Sequence, residues 1–340
     1  MMDWNGTKAF QLVRRLLPMV MMTSGFAIGF AQTSNSQTNK LSRFTFTEYH
    51  MGNDTRIVVY APDQKTAEEA CSDAFNRVAD LDSMMSDYRT NSELTHLCEQ
   101  SGGAPMKISP EFFFVLQRAQ EVSKLTDGLF DVTVSPVVRL WRKARKTGKL
   151  PDPVALDAAR KLVGYRNLVL DEKAVTARLT KKGMQIDLGA IAKGYADDEA
   201  QKVLKRHGIT SALIEMGGDI VVTDAPPGEK GWKILVPNAE EGQGPAEMEL
   251  SNCAISSSGD TEQFVLIGGE KYSHVINPKT GVALHQGVQA TVIAKDGITS
   301  DSLSTAVTLV SKKGRARISK AYPGVKQYVR ILPINTRASG

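Results

Sequence analysis

Apolar side chains recur every three or four positions between residues 65 and 85, and this periodicity is the strongest constraint on the fold. It predicts a helix with one buried stripe, which must pack against another layer of structure. A second helix is expected to begin at Pro110, because serine at position 109 suits the N-cap and proline suits the first helical position. Further helices are expected near residues 154–162, from about residue 190 to His207, and near residues 301–310.

Short apolar runs predict strands, and most of them lie in the second half of the chain. The runs are residues 44–46, 57–60, 168–170, 174–176, 211–216, 220–223, 232–236, 253–257, 264–267 and 288–294. Strand clusters separated by helices, without a regular β-α-β alternation, indicate an α+β fold rather than a doubly wound parallel sheet. With 340 residues, of which 41% are hydrophobic, the chain can bury a full core without metals or disulfides.

The N-terminus carries the pattern of an export signal. Three basic residues among the first 15 precede an apolar run over residues 16–31, and Gly29-Phe30-Ala31 places small residues where a signal peptidase reads them. The run is interrupted by Pro18 and is shorter than the roughly 20 residues of a membrane-spanning helix. A cleaved signal peptide over residues 1–31 is therefore expected, and an uncleaved membrane anchor is the alternative.

The region after this signal divides into a short leader and a folded part. Residues 32–42 are polar and are expected to form a flexible leader. One domain, or two closely packed subdomains, would then cover residues 43–335. The first cysteine of the chain is Cys71, so the sequence offers no N-terminal cysteine for lipid attachment, and we expect a soluble, exported protein.

Charge and motifs exclude several functional classes. The chain has 42 Lys and Arg against 37 Asp and Glu, which is too small an excess of positive charge to indicate nucleic-acid binding. The glycine-rich and histidine motifs of nucleotide-binding proteins, α/β hydrolases and zinc proteases are missing. Cys71, Cys98 and Cys253 lack the C-x-x-C spacing of a zinc or redox site, so buried thiols are expected, with a Cys71–Cys98 disulfide as the alternative.

Polar residues instead collect beside glycines, where the backbone can approach a ligand closely. One segment runs from Asp187, at the end of an expected strand, through a Gly-Ala turn into a helix that carries Lys193. A helix N-terminus attracts anions and a lysine there adds a mobile cation, although a plain strand-to-helix connection explains the pattern equally well. A second segment, Met216-Gly217-Gly218-Asp219, predicts a tight turn between two strands and needs no ligand if it is a simple hairpin.

Two further segments add polar groups without deciding their role. Ser258-Gly259-Asp260 is followed by His274, which on its own is expected to be a satisfied core histidine. Asp301 and Thr305 are four residues apart and share one helical face, and a carboxylate with a hydroxyl suits a hard cation such as Mg²⁺. The alternative is helix capping by Thr299 or Ser300, with Asp301 favouring the helix dipole.

Taken together and in this order, seven segments resemble the ApbE family, the FAD:protein FMN transferases. The segments are residues 84–89 with 92–94, residues 126–133 with Pro136 and Leu140-Trp141, residues 187–196, residues 216–219, residues 258–260, residues 273–281, and Asp301 with Ser304-Thr305. The resemblance covers about residues 50–312. It implies an α+β fold whose core is related to tunnelling-fold domains, with mixed strands and flanking helices.

The resemblance implies a periplasmic, Mg²⁺-dependent enzyme with FAD as its substrate. Such an enzyme attaches FMN through a phosphoester to a Ser or Thr of a partner protein and releases AMP. The expected acceptor is a flavoprotein subunit of a membrane electron-transport complex, such as sodium-translocating NADH:quinone reductase or an Rnf-type complex. Some family members are lipoproteins, but this chain lacks the cysteine that lipid attachment requires.

The resemblance also implies roles for individual residues. The implied metal ligands are Asp301, Thr305 and the backbone carbonyl at Ala190. The implied cofactor-binding residues are Tyr88, Asp187, Lys193, Gly217, Gly218 and Asp219. Within this set Tyr88 would stack on the isoalloxazine ring, Lys193 and the amides around Gly189 would hold phosphate, and Asp219 would reach adenosine or ribose hydroxyls. The candidates to orient or deprotonate the acceptor hydroxyl are His274 and Asp260.

Two alternative functions keep part of this site. If water takes the place of the protein hydroxyl, the enzyme is a periplasmic FAD pyrophosphatase that releases FMN and AMP. A flavin-binding protein without chemistry is the other alternative; loss of the metal carboxylate would favour it, yet Asp301 is present.

Overall fold

The computed structural model describes residues 40–240, 244–259, 264–285 and 287–331, which contain eight α-helices and fourteen strands. In chain order these are β1 (Ser42–His50), β2 (Asn53–Ala61), α1 (Gln64–Met85), α2 (Glu93–Glu99), β3 (Met106–Lys107), α3 (Pro110–Leu125), α4 (Ser135–Thr147), α5 (Pro153–Arg160), β4 (Leu168–Asp171), β5 (Thr176–Leu179), α6 (Ala192–Arg206), β6 (Ala212–Met216), β7 (Asp219–Val222), β8 (Trp232–Glu240), β9 (Gly244–Leu250), β10 (Cys253–Gly259), β11 (Phe264–Ile267), β12 (Glu270–Ser273), β13 (Val288–Ala294), α7 (Gly297–Leu309), α8 (Lys312–Ala321) and β14 (Lys326–Ile331). Helices and strands occur in clusters, which is the arrangement of an α+β fold, as predicted.

Seven strands form one antiparallel sheet in the order β1-β2-β6-β7-β10-β13-β14. The order of these strands in the sheet is the same as their order along the chain. The other helices and strands are therefore insertions between strands that are neighbours in the sheet. Successive side chains point to opposite faces of a strand: Ile57 and Val59 of β2 enter one core, and Val58 enters another. Strand β6 repeats this pattern with Ile214 and Leu213. The sheet is therefore buried on both faces.

Helices cover one face of this sheet and a hairpin covers the other. Helices α1, α6 and α7 contact β2, β6 and β10 respectively, and β8 of the β8–β9 hairpin contacts β13 and β14. Leu81 of α1 and Leu204 of α6 are fully buried on the helical side, and burial of one such side chain contributes roughly 1.5–3 kcal/mol. This packing holds α6 and α7 over the sheet, with their first turns at the same end of it.

Smaller units flank the sheet. Strands β3, β5 and β4 form a three-stranded sheet, and β11 pairs with β12. A separate apolar cluster joins α4, α5 and the β11–β12 hairpin through residues that include Val137, Trp141 and Ile267. The indole Nε1 of Trp141 donates to the carbonyl oxygen of Gly281 at 2.8 Å, which fixes α4 beside the segment that follows β12.

Helices with a clear apolar stripe lie where the sequence predicts them. Helix α1 matches the predicted span, and α3 begins at Pro110 with the hydroxyl of Ser109 accepting from the N–H of Phe112 at 3.2 Å. Helix α6 ends at Arg206, two residues before Gly208, whose φ is +78°. The three cysteines are free thiols, so the alternative Cys71–Cys98 disulfide is not formed.

The predicted start of the last helix pattern is wrong. Helix α7 begins at Gly297, because the side chain of Asp296 accepts from the N–H of Thr299 at 3.1 Å and acts as the N-cap. Thr299 and Ser300 therefore lie inside the helix and do not cap it.

The strand predicted to end at Asp187 is also wrong. Met184, Ile186 and Leu188 are buried in alternation, as in a strand. The described residues offer this segment no strand partner, and the N–H of Asp187 donates instead to the carbonyl of Val132 at 2.8 Å. The segment is an irregular connection that leads into α6.

The N-terminal predictions fall mostly outside the described residues. The predicted signal peptide, residues 1–31, and residues 32–39 of the predicted leader lie there. The leader prediction is wrong at its end, because Ser42 already pairs with Ala61 in the main sheet. The bounds of a domain over residues 43–335 stay a prediction. In the part of the chain that is described, no helix has the length and apolar character needed to cross a membrane.

Candidate active site

A cleft with a volume of about 850 Å³ opens at one end of the main sheet. Strand pairing brings this end together: Thr55 of β2 lies opposite Met216, Met216 lies opposite Asp219, and Asp219 lies opposite Ser256 of β10. The first turn of α6, with Lys193, lines the same cleft. Backbone turns, a helix N-terminus and charged side chains thus converge there, which is the usual make-up of a pocket for an anionic ligand.

The turn between β6 and β7 is tight because it consists of two glycines. Gly217 and Gly218 have φ values of +57° and +92°, in the region that favours glycine, and a Cβ at Gly217 would lie 2.7 Å from the side chain of Asn53. The turn places Asp219 at the first position of β7, where it is buried and lines the cleft. Gly217 lines the cleft too, whereas Gly218 lines a neighbouring depression together with Asp54.

Helices α6 and α7 meet at two glycines and cap each other. A Cβ at Gly194 would lie 2.1 Å from the carbonyl oxygen of Gly297, so the two backbones are in direct contact. Asp198 of α6 accepts from the N–H groups of Gly297 and Ile298, at 2.6 and 2.9 Å, where α7 begins. Asp301 of α7 accepts in return from the N–H of Gly194 at 3.0 Å. Because carboxylates stabilise helix N-termini, this exchange holds the cleft ends of both helices in place.

Three buried carboxylates surround one lysine at this crossing. Lys193 forms an ion pair with Asp219, and its Nζ lies 3.8 Å from Oδ1 of Asp301. Burial, and next the charge of Asp219, raise the pKa of Asp301 to about 7 against the opposing charge of Lys193. Burial disfavours the charged form of Lys193, but Asp219 and Asp301 together hold its pKa above the usual value. The third carboxylate, Asp197, follows Lys193 by one turn of α6 and interacts electrostatically with all three groups.

The donor set at this crossing fits a hard divalent cation. Asp301 is only 3% exposed, and Thr305, one turn further along α7, lines the cleft with its hydroxyl 3.3 Å from that of Ser258. Ala190 lines the cleft just before α6. Among the described residues, no three Asp, Glu, His or Cys side chains are grouped so as to enclose a metal. Mg²⁺ commonly takes only one or two carboxylates from a protein and completes its shell with water and phosphate oxygens. Its charge would offset the excess of carboxylates over Lys193.

Asp197 is a buried carboxyl group without a hydrogen-bond partner in the part of the chain that the structure describes. Its side chain is 0% exposed, and neither of its oxygens has a hydrogen-bond partner among the described residues. Burial, and next the charge of Asp219, raise the pKa of Asp197 well above its usual value. Keeping such a group inside the protein lowers stability, since a buried polar group that lacks a partner costs roughly 1–3 kcal/mol.

Replacing Asp197 with valine is therefore expected to raise the free energy of unfolding by roughly 1–3 kcal/mol. The pKa of Asp197 is higher in the folded than in the unfolded protein, so its contribution to stability becomes less favourable as the pH rises above about 4. The gain from Asp197→Val should consequently be larger at pH 8 than at pH 4, as measured by urea unfolding. Asp197→Asn keeps an unpartnered polar group and should gain less; a valine variant that is no more stable than the parent would contradict the assignment.

A second charged group surrounds Tyr88 in the same cleft. Tyr88 is 77% exposed, and the guanidinium of Arg142 lies 4.8 Å from the centre of its ring. Arg142 donates to Asp87 at 2.5 Å and to Asp187 at 2.8 Å. Burial opposes the charge of Arg142, but Asp187 and Asp87 raise its pKa. Tyr88 thus presents an exposed ring beside a fixed cation, and a planar ligand can stack on such a platform.

Most residues predicted for the site meet in this one cleft. Those that line it are Tyr88, Asp187, Ala190, Lys193, Gly217, Asp219, His274, Asp301 and Thr305. Gly218 lies beside the cleft, and Asp260 lies outside the described residues. The N–H of Gly189, which was predicted to hold phosphate, already donates to Asp187 at 2.8 Å, and Asp219, which was predicted to reach adenosine or ribose, pairs with Lys193.

Sequence reasoning missed four residues that organise the cleft. Asp197 and Asp198 follow Lys193 by four and five positions on one helix, and Arg142 and Arg145 are three positions apart on α4. Side chains three or four positions apart share a helical face, so Asp197 could have been placed beside Lys193, and Arg145 beside Arg142. The spacing along one helix does not predict which helices, strands or loops lie across the cleft from these side chains.

Comparison with known proteins gives a consistent result. Residues 51–329 match the model of the ApbE family. The FAD:protein FMN transferase of Haemophilus influenzae is 31% identical over 275 residues, which cover 78% of each chain, and that of Treponema pallidum is 28% identical over 305 residues, or 84% of each. Among solved structures, the flavin transferase ApbE from Vibrio cholerae superimposes with a TM-score of 0.76 at 26% identity, covering 86% of this chain and 94% of its own. An ApbE protein from Thermotoga maritima gives the same TM-score and identity, with 85% and 94% coverage.

Proposed function

This chain belongs to the ApbE family, and from that premise we propose that it transfers FMN from FAD to a protein. The observation that carries the proposal is a single cleft that holds both the exposed ring of Tyr88 and the charged group of Lys193, Asp219 and Asp301. A flavin dinucleotide needs both, because it has a planar ring at one end and two phosphates in its middle. The cleft volume of about 850 Å³ lies within the range of roughly 300–1,000 Å³ typical of small-molecule sites.

In this proposal the crossing of α6 and α7 would hold the phosphates and Mg²⁺. Asp301, Thr305 and the carbonyl of Ala190 would be the metal ligands, and their common position in the cleft supports this assignment. When bound, the cation would offset the charge of the pyrophosphate and of the departing AMP. Lys193 supplies a second positive charge, and its ion pair with Asp219 orients the ammonium group. Positioning and charge neutralisation are what phosphoryl transfer chiefly requires from a protein.

The chemical step joins a hydroxyl of the acceptor to FMN. The oxygen of a Ser or Thr side chain attacks the phosphorus on the flavin side of FAD and forms a new P–O bond. The bond between that phosphorus and the bridging oxygen breaks, and AMP leaves with the bridging oxygen. The proton of the hydroxyl passes to a base, and His274 is our candidate because it lines the cleft. Asp260 stays a predicted orienting group.

Two other functions use the same cleft. An FAD pyrophosphatase would direct water instead of a protein hydroxyl at the same phosphorus, and a binding protein would hold FAD without cleaving it. A protein that only binds FAD gains nothing from the carboxylates of Asp301 and Asp219 beside the phosphate position, because they repel phosphate unless a cation lies between them, whereas phosphoryl transfer uses such a cation.

Incubation with FAD, Mg²⁺ and an acceptor domain separates the three functions. A transferase should release AMP slowly from FAD alone and faster with the acceptor, and the acceptor should gain the mass of FMN minus water. EDTA should stop both signals, and an acceptor whose target Ser or Thr is replaced by Ala should gain no mass. Fast release of FMN and AMP without covalent flavin would identify a pyrophosphatase. Binding of FAD with no AMP under any condition would identify a binding protein.

We further propose that the protein is exported and acts in the periplasm on a flavoprotein subunit of a membrane electron-transport complex. The support is the signal pattern over residues 1–31 together with the family resemblance. The mass of the protein in a periplasmic extract tests the first part and should correspond to a chain that begins at Gln32. A full-length chain retained in the cytoplasm would contradict it.

A further inference from the structure

Two arginines of α4 line the cleft, and among the described residues only one of them forms ion pairs. Arg142 donates to Asp87 and Asp187. Arg145 pairs with no carboxylate among the described residues, and its Nη1 atom is buried without an acceptor. A buried donor that lacks an acceptor costs roughly 1–3 kcal/mol, and more when it carries a charge. The position of Arg145 is therefore unfavourable in the protein on its own.

The surroundings of Arg145 add to this cost. Burial, and next the charge of Arg142, lower its pKa, so one of its close neighbours repels it. The other basic residues of α4, Arg139, Lys143 and Lys146, are exposed to solvent. Water solvates these cations, whereas Arg145 is half-buried, and the part of its side chain that stays exposed lines the cleft.

The electrostatic neighbours of Arg145 locate it within the cleft. They are Arg142, Tyr88 and Asp187, whereas the carboxylates around Lys193 are not among them. Arg145 thus lies at the end of the cleft that holds the aromatic platform, away from the residues proposed to bind phosphate and metal. A ligand group that meets the exposed part of Arg145 would therefore belong to the ring portion of the ligand.

We propose that Arg145 donates hydrogen bonds to the carbonyl edge of the isoalloxazine ring and so selects flavin dinucleotides over nucleotides without this ring. The inference rests on the function proposed above. The pyrimidine part of the ring presents carbonyl oxygens and a ring nitrogen as acceptors, and a guanidinium offers several N–H donors in one plane. A ring stacked on Tyr88 with this edge turned toward Arg145 would place its acceptors beside the guanidinium. The positive charge would also favour reduced flavin, because reduction places negative charge at this edge.

Calorimetric titration with FAD and with ADP, in Mg²⁺ and without acceptor, tests the proposal. ADP is the second probe because it has the adenosine and two phosphates of FAD but no isoalloxazine ring. Arg145→Met should weaken FAD binding roughly 10- to 100-fold, which corresponds to one charge-assisted hydrogen bond, and should leave ADP binding unchanged. The affinity for reduced FAD should fall more than that for oxidised FAD. Arg139→Met removes an exposed arginine from the same helix and is the matched control, expected to change neither affinity.

Each outcome of these titrations is decisive. If the parent protein binds no FAD, the proposed function itself fails, and the role of Arg145 fails with it. If the parent binds FAD and Arg145→Met binds it equally well, only the role of Arg145 is refuted. Equal losses for FAD and ADP would also refute it, because they indicate a phosphate contact or a distorted cleft. Arg145→Gln, compared by thermal melting, covers the case in which the methionine variant does not fold.

Discussion

Replacing Asp301 with asparagine is expected to lower the rate of FMN transfer roughly 10²- to 10⁴-fold while the protein stays folded. A metal ion that neutralises charge on transferring phosphate contributes several kcal/mol to the transition state, and each 1.36 kcal/mol is a factor of ten in rate. Asparagine removes the negative charge but keeps an oxygen that can accept from the N–H of Gly194, the hydrogen bond that Asp301 makes at 3.0 Å. Steady-state transfer to an acceptor at saturating FAD is the measurement.

The control for this variant is a carboxylate outside the cleft. Asp157 is exposed on α5 and pairs with Lys161, so Asp157→Asn makes the same chemical change and should leave transfer unaffected. Thermal melting at pH 8 should show no loss for Asp301→Asn, because burial raises the pKa of Asp301 to about 7 and makes its ionised form unfavourable there. Full activity of Asp301→Asn at ordinary Mg²⁺ would refute the metal assignment.

Replacing Gly194 with alanine is expected to destabilise the fold by about 3 kcal/mol, the upper part of the range for overpacked sites. The new Cβ would lie 2.1 Å from the carbonyl oxygen of Gly297 and 2.8 Å from Cβ of Asp301. The first of these atoms is backbone, so no rotamer change relieves the contact, and the helices must move apart. For a domain of this size the loss corresponds to roughly 5–10 °C in melting temperature.

Gly208→Ala is the matched control for the crossing. Gly208 follows α6 with φ of +78°, and a Cβ there would meet nothing within 4 Å, so this variant carries only the backbone cost of about 1 kcal/mol. The difference between the two melting temperatures isolates the contact with Gly297. If Gly194→Ala melts no lower than Gly208→Ala, the two backbones are not in contact in solution.

Secondary structure is predictable from this sequence where burial is one-sided. Helix α1 has a single apolar stripe, and the 3.6-residue period reveals it. Helix α7 is buried over nearly all its length, from Gly297 to Thr308. It has no solvent-exposed face to produce a periodic pattern, and its start at Gly297 was missed. The alternation of Met184, Ile186 and Leu188 is strand-like, but a strand also needs a hydrogen-bonded neighbour, and sequence periodicity does not report one.

Individual residues of the candidate site are predictable from the sequence, but their positions relative to one another are not. Lys193 and Asp301 stand out because a cation and a carboxylate each lie near a helix start, and the family resemblance joins them. Their mutual position depends on the contact between Gly194 and Gly297, which is tertiary and leaves no local pattern. The same holds for Arg145. Asp87 and Asp187, which come from other parts of the chain, pair with Arg142 and not with Arg145.

The mutual capping of α6 and α7 also determines at what stage of synthesis and folding the cleft forms. The cap between Gly194 and Asp301 joins residues 107 positions apart, and that between Gly297 and Asp198 joins residues 99 positions apart. Contacts between such distant residues form late in folding, because closing a long loop costs chain entropy before the contact is gained. During synthesis, Lys193 emerges from the ribosome about a hundred residues before its carboxylate neighbour on α7. A nascent or unfolded chain therefore has no place for FAD, and the binding cleft exists only after α7 has packed against α6.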